Sequence, residues 1–285
     1  MRKIVLKNCD VKEFNSLIKR SASLDNMIFI NVRGNKFEST AYNKNKSALK
    51  SITADLQNYC EEFINELGDE SAKILFTNAS KLISVLSLVG TDGVDVTFFI
   101  EENGYAKKVI VENVEVNLTV PAADEAIHEF LEIPEHARHS IFEDTTTLAY
   151  KVGITENEFK YLTQLFQLNK ESCRVCFSIS NDVVTVSEIE STDENVRGEV
   201  NKLLSDGNIQ EFDAFDKLYS KKLNYDGFES FSDEGYLRCF NKSYFVWIDS
   251  DEHYDIELHT NKIKFISVDE KGTKTYVVLT PVPFA

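Results

Sequence analysis

The order of secondary-structure signals repeats once along this chain of 285 residues, and that repeat constrains the fold more than any single motif does. In the first half, residues 4–6, 27–32, 74–76, 94–100, 107–111 and 114–120 alternate apolar and polar residues or run β-branched, as strands do. In the second half, 148–152, 174–179, 183–188, 217–223, 255–259, 263–268 and 274–280 do the same. Two helical patterns punctuate each half. Asp10 caps VKEFNSLIKRSA, and Asn78 caps ASKLISVLSLV. Thr155 opens TENEFKYLTQLF, with Glu158 three residues on as a capping box. Ser232 or Asp233 opens EGYLRCFNKSYFVWI. Each half therefore reads strand, helix, strands, helix, strands.

Turn chemistry fits this reading. Asn103-Gly104 accepts positive φ between two strands, and Ser180-Asn181-Asp182, Thr260-Asn261 and Lys271-Gly272 serve the second half. Two segments interrupt the repeat. Residues 52–68 (ITADLQNYCEEFINELG) and about 193–212 read as acidic helical insertions between strands. The expected division is an N-terminal domain over 1–123, a connector over 124–144 and a C-terminal domain over 145–285. The chain length favours two domains over one, and the class is α+β.

Net charge is −16, which taken alone argues against a nucleic-acid binder, because phosphate contacts need Lys and Arg. No run of eighteen apolar residues exists, so no membrane helix is expected, and the N-terminus lacks a signal-peptide core. Five cysteines fit a reducing compartment better than a disulfide framework, and the chain reads as a soluble intracellular protein. Cys173 and Cys176 sit three apart on a strand, so they point to opposite faces and read as structural. His136 and His139 have only Glu135 nearby, too few ligands for a metal. No phosphate loop, nucleophile elbow or zinc-protease helix occurs, and neither catalysis nor a cofactor is expected.

The four helices carry the functional signal. On a wheel, Lys12, Ser16, Lys19 and Arg20 oppose Val11, Phe14, Leu17 and Ile18. Ser80, Lys81, Ser84 and Ser87 oppose Leu82, Val85, Leu86 and Val89. Lys160, Thr163, Gln164 and Gln167 oppose Phe159, Leu162 and Phe166; Arg238, Asn241 and Lys242 oppose Leu237, Phe240, Tyr244 and Trp247. Residues 11–22, 78–89, 155–170 and 235–248 together carry +5 and leave −21 for the rest of the chain. Solvated faces would share the acidic bias, so these faces are expected to meet a polyanion, with repulsion elsewhere directing it there.

LSLVGTDGVDV (86–96) followed by VNLTVPAADE (116–125) resembles the trimeric DNA polymerase sliding clamps of tailed, myovirus-type bacteriophages. The resemblance extends through EFNSLIKRSASLDNMIFI, ITENEFKYLTQLFQLNKESCRVCFSISNDVVTVS, KKLNYDGFESF, YDIELHTNKIKFI and YVVLTPV, nearly the whole chain. The chain is longer than the family pattern, mainly at 52–68 and around 193–212. The resemblance implies a two-domain clamp fold, with outer sheets, two inner helices per domain and a homotrimeric ring around duplex DNA. It implies a processivity factor that tethers the replicative polymerase in the cytoplasm of an infected bacterial host. The DNA-facing residues would be Lys12, Ser16, Lys19, Arg20, Ser80, Lys81, Ser84, Lys160, Gln164, Gln167, Arg238, Asn241 and Lys242. A clamp-loader ATPase would open the ring, and transcription factors form a further partner class. The C-terminal peptide of the polymerase would enter a pocket framed by Phe130, Leu131, Ile133, Pro281, Val282, Pro283 and Phe284. No cofactor, metal or membrane is implied. The competing reading is a non-enzymatic, β-rich phage structural or interaction protein that does not encircle DNA.

Overall fold

The N-terminal alternation forms β1 (Arg2–Cys9), which turns Ile4, Leu6 and Cys9 into a core and leaves Lys3 exposed on the other face. The computed structural model describes residues 1–22, 26–43, 46–90, 93–128, 133, 135–168, 173–190, 194–249 and 252–281. These belong to two units. One takes 1–43, 49–137 and 268–275; the other takes 44–48, 138–267 and 276–285. The boundary at 137/138 lies inside the expected connector, and the later hairpin 268–275 joins the first unit.

In the first unit β1 is followed by α1 (Val11–Ser21), β2 (Ile28–Arg33), β3 (Lys36–Tyr42), β4 (Ala48–Asp55), β5 (Cys60–Asn65) and β6 (Ser71–Phe76). Then come α2 (Ala79–Leu88), β7 (Asp95–Ile100), β8 (Ala106–Glu112) and β9 (Asn117–Pro121). Short helical turns α3 (Glu125–His128) and α4 (Glu135–Arg138) follow, with a π-turn at His139–Glu143. The second unit runs β10 (Leu148–Ile154), α5 (Glu156–Leu168), β11 (Cys173–Ser180) and β12 (Val183–Glu190). It continues through α6 (Glu194–Asp206), α7 (Ile209–Ala214), β13 (Tyr219–Lys222), β14 (Tyr225–Ser230) and β15 (Tyr236–Asn241). A 3-10 helix (Lys242–Trp247) precedes β16 (Asp255–His259), β17 (Ile263–Val268) and β18 (Lys274–Leu279).

The repeat seen in the sequence is a repeat of topology. The first unit pairs strands in the runs β5-β1-β7-β8-β9 and β4-β3-β2-β6. The second uses β14-β10-β16-β17-β18 and β13-β12-β11-β15, which is the same order with nine added to every strand number. The core of the first unit gathers Phe14, Leu17, Ile18, Leu82 and Leu86 from its helices against Ile4, Ile30, Ile74, Phe98 and Val109 from its strands. In the second, Phe177 meets Phe240, Phe245 and Phe265, with ring centroids 6.1–6.5 Å apart.

Three expectations are corrected. Residues 52–68 are not a helical insertion: they form the end of β4, a 3-10 turn (Leu56–Tyr59) and β5. Leu56 and Tyr59 are buried at helical spacing, but the turn that Asp55 caps by accepting from Gln57 N runs only one round before Cys60 returns to extended backbone. Residues 235–248 are not one helix either. The aromatic-rich run YLRCFN pairs with β11, and the short 3-10 helix begins only at Lys242. Finally, Cys176 is bonded to Cys239 across β11 and β15.

Helices α6 and α7 lie between β12 and β13, a position where the first unit has only the short connection from β3 to β4. Val200, Leu203 and Phe212 build a small core of their own over Cys176, Ile189, Leu237 and Cys239.

Candidate nucleic-acid interface

Helix α1 is set by its cap and its periodicity. The Asp10 carboxylate accepts from Glu13 N at 3.2 Å, and Val11, Phe14, Leu17 and Ile18 are buried. What the helix leaves exposed is Lys12, Ser16 and Lys19. Helix α2 starts at Asn78, whose side chain accepts from Lys81 N at 3.1 Å, and it exposes Ser80, Lys81, Ser84, Ser87 and Leu88. The two helices are joined by a side-chain bond that sequence reading missed: buried Asn15 donates through Nδ2 to Ser87 Oγ at 2.9 Å. A polar residue on the apolar stripe of α1 was the only available signal. Ser80 Oγ donates to Asn26 Oδ1 at 2.8 Å, so the first turn of α2 is anchored to the segment before β2.

The exposed residues of this helix pair are thus three lysines, four serines and a leucine, with no carboxylate among them. Short hydroxyl side chains let a phosphate backbone approach closely, and the three ammonium groups supply attraction without reading bases.

In the second unit α5 exposes Lys160 and Gln164, alongside Glu156, Asn157 and Tyr161. Lys160 Nζ donates to Glu156 Oε1 at 2.6 Å, one helical turn away, and that bond holds the Glu156 carboxyl below its ordinary range. The side chain of Gln167 lies outside the described residues.

Other cations named from the sequence serve the fold. Arg20 is half-buried, and its Nη2 pairs with Asp269 Oδ2 at 3.0 Å. Asp269 also accepts from Lys271 N and Thr273 N, so Arg20 is tied to a turn and not directed outward. Arg238 lies on β15, donating from Nε to Thr260 O at 2.8 Å and from Nη1 to Leu237 O at 2.7 Å. Asn241 caps the 3-10 helix by accepting from Ser243 N. Lys242 is buried and donates to the equally buried Glu188 Oε1 at 2.7 Å. The structure therefore brings Lys12, Ser16, Lys19, Ser80, Lys81 and Ser84 onto one helix pair, with Lys160 and Gln164 exposed on the second unit's helix. It assigns Arg20, Arg238, Asn241 and Lys242 to internal contacts.

Of the residues named for a partner pocket, Ile133 and Pro281 are half-buried, whereas Phe130, Leu131, Val282, Pro283 and Phe284 lie outside the described residues. Pro281 lines a cavity of about 530 Å³ with Leu204 and Ser205 of α6 and Leu237 and Arg238 of β15. The contribution of α6 was not readable from sequence, because it depends on where the inserted helix packs. Among the described residues no group of three or more His, Cys, Asp or Glu side chains is placed to hold a metal, and no helix is long and apolar enough to cross a membrane.

No family model matches the chain, and no curated protein matches it in sequence. Solved structures do share its fold. The PCNA2–PCNA3 complex from Sulfolobus tokodaii superposes with a TM-score of 0.63 at 11% identity, covering 97% of this chain and 98% of the other. PCNA from Thermococcus kodakaraensis gives 0.64 at 12% identity, covering 99% and 100%. PCNA from A. fulgidus, solved with the C-terminal region of FEN-1 bound, gives 0.63 at 14% identity, covering 99% and 98%. The chain has the two-domain sliding-clamp fold. The likeness covers nearly the whole of each chain.

Proposed function

We propose that this protein is a sliding clamp: a homotrimeric ring that encircles duplex DNA and tethers a replicative DNA polymerase as a processivity factor. The observation that carries the reading is the α1–α2 face, which presents Lys12, Lys19 and Lys81 among serines and no carboxylate in a chain of net charge −16. A ring needs only weak contacts with DNA, because closure and not affinity prevents escape; a few cations suffice, and many would slow sliding. The duplicated topology supports the reading, since three copies of two similar units supply six similar segments for a closed ring. Strands β9 and β13 each pair on one side only among the described residues, and joining such edges between copies would remove edges prone to aggregation.

In this reading the protein has no catalytic activity of its own. A clamp-loader ATPase opens the ring. The polymerase's C-terminal peptide docks on an apolar surface of the second unit that includes Pro281. The phage-type origin, the host cytoplasm and the transcription-factor partners rest on the sequence resemblance alone. The test is native mass spectrometry together with retention on DNA. A trimer that stays on a closed plasmid after loading, and runs off when the plasmid is cut, is the expected outcome. A monomer at micromolar concentration, or retention indifferent to the cut, removes the proposal and favours an interaction protein that does not encircle DNA.

A further inference from the structure

Four of the five cysteines form two directly opposed pairs on antiparallel neighbours. Cys176 faces Cys239 across β11 and β15, and the two are bonded. Cys9 faces Cys60 across β1 and β5, and both are thiols. The local backbone decides what kind of pair the second one is. Asn8 adopts a left-handed conformation (φ 46°), after which Cys9 N donates to Val94 O at 2.7 Å, away from β5, while Asp10 N donates to Tyr59 O at 2.8 Å. Cys9 and Cys60 are therefore a non-hydrogen-bonded pair, the closer of the two antiparallel kinds, with Cα atoms about 4.5 Å apart. That spacing lies within the ~4.4–6.8 Å that a disulfide spans. Cys9 is buried; Cys60 is half-buried, and its thiol donates to Leu56 O at 3.4 Å, a weak bond to give up.

We propose that Cys9 and Cys60 are a redox-modification site, a dithiol that a small disulfide of the glutathione type converts to an intrachain cross-strand disulfide. Cys60, the more exposed thiol, gives its proton to solvent and attacks one sulfur of the oxidised glutathione. The glutathione S–S bond breaks, and one glutathione leaves as thiolate. Cys9 then loses its proton and attacks Cys60 Sγ, which forms the Cys9–Cys60 bond and expels the second glutathione. Two protein thiols are oxidised, one glutathione disulfide is reduced, and the two protons end on the glutathione thiols. Burial pushes both protein thiols up, Cys60 to about 11, so exchange is slow at neutral pH and accelerates with alkali. Cys9 directly precedes Asp10, the cap of α1, and Lys271 Nζ reaches both Asp10 Oδ2 and Asn58 O beside Cys60. The bond would fasten edge strand β5 to the start of the helix that carries Lys12, Ser16 and Lys19.

The experiment uses the full chain with Cys173→Ser, so that only Cys9 and Cys60 remain as thiols. The protein is equilibrated in mixtures of oxidised and reduced glutathione, quenched in acid, alkylated and mapped by mass spectrometry. Both alkylation sites should be lost together with the appearance of a Cys9–Cys60 cross-linked peptide, about tenfold faster per pH unit between 7 and 9. Adding Cys60→Ser should leave Cys9 fully alkylatable. Persistence of both thiols under a large excess of oxidised glutathione overturns the proposal. So does arrest at a glutathione adduct on Cys60, or a cross-link from either residue to any other cysteine.

Discussion

At the scale of the residue, Lys242 and Glu188 show how far a side chain's role depends on its surroundings. Each is only 3% exposed, and they are 2.7 Å apart. Removing one partner strands a charge in the core, at a cost of about 3–5 kcal/mol. Lys242→Ala is therefore expected to lower urea stability by that amount, and the double change Lys242→Met with Glu188→Leu to recover most of it. Lys12→Ala, on an exposed helix face, should stay within ~0.5 kcal/mol of the parent in the same titration. Helical periodicity put Lys242 and Lys12 in one class because each lay opposite an apolar set on a wheel. The periodicity held for Lys12, whose segment is a helix; Lys242 begins a 3-10 turn that packs against α5 and β11 and bonds to Glu188 of β12.

At the scale of the element, the legible pieces were those with their own caps. Asp10 and Asn78 stop the backbone at defined positions, and α1 and α2 follow within a residue of the sequence reading. Residues 52–68 and 235–248 were misread because strands of about six residues can carry apolar residues at i, i+3 and i+4 as readily as a helix does. Their partners settled the matter: β5 pairs with β1, and β15 with β11. The inserted α7 approaches Gly235 closely: a Cβ there would lie 2.2 Å from Ile209 Cδ1 and 3.2 Å from Ile179 O. Gly235→Ala is expected to destabilise by about 1–3 kcal/mol, as overpacking does. Shortening the obstructing side chain with Ile209→Val should restore part of the loss, as differential scanning calorimetry of the single and double variants would show. A double variant no more stable than Gly235→Ala would place the strain at the Ile179 carbonyl instead.

At the scale of the whole molecule, charge distribution matters more than its total. Lys12, Lys19 and Lys81 are exposed on one helix pair of a chain that is otherwise strongly acidic. Changing all three to Glu should leave trimer mass and thermal stability near the parent. It should sharply shorten the product made per polymerase binding event on primed circular DNA, with the largest loss at low salt, where phosphate contacts count most. Unchanged processivity in the folded triple variant would remove the α1–α2 face from the DNA-binding argument. By itself the sequence determined the alternation that makes strands, the caps that start α1 and α2, the repeated order of elements and the basic bias of the helix faces. All of these are local, because side-chain periodicity and capping act within a few residues. Only the tertiary structure decided that Arg20 and Lys242 are consumed by Asp269 and Glu188, that α6 walls a cavity beside Pro281, and that Cys9 stands opposite Cys60. Those outcomes depend on which distant segments pair and in what register, and periodicity fixes the face a residue turns toward without naming the neighbour it meets there.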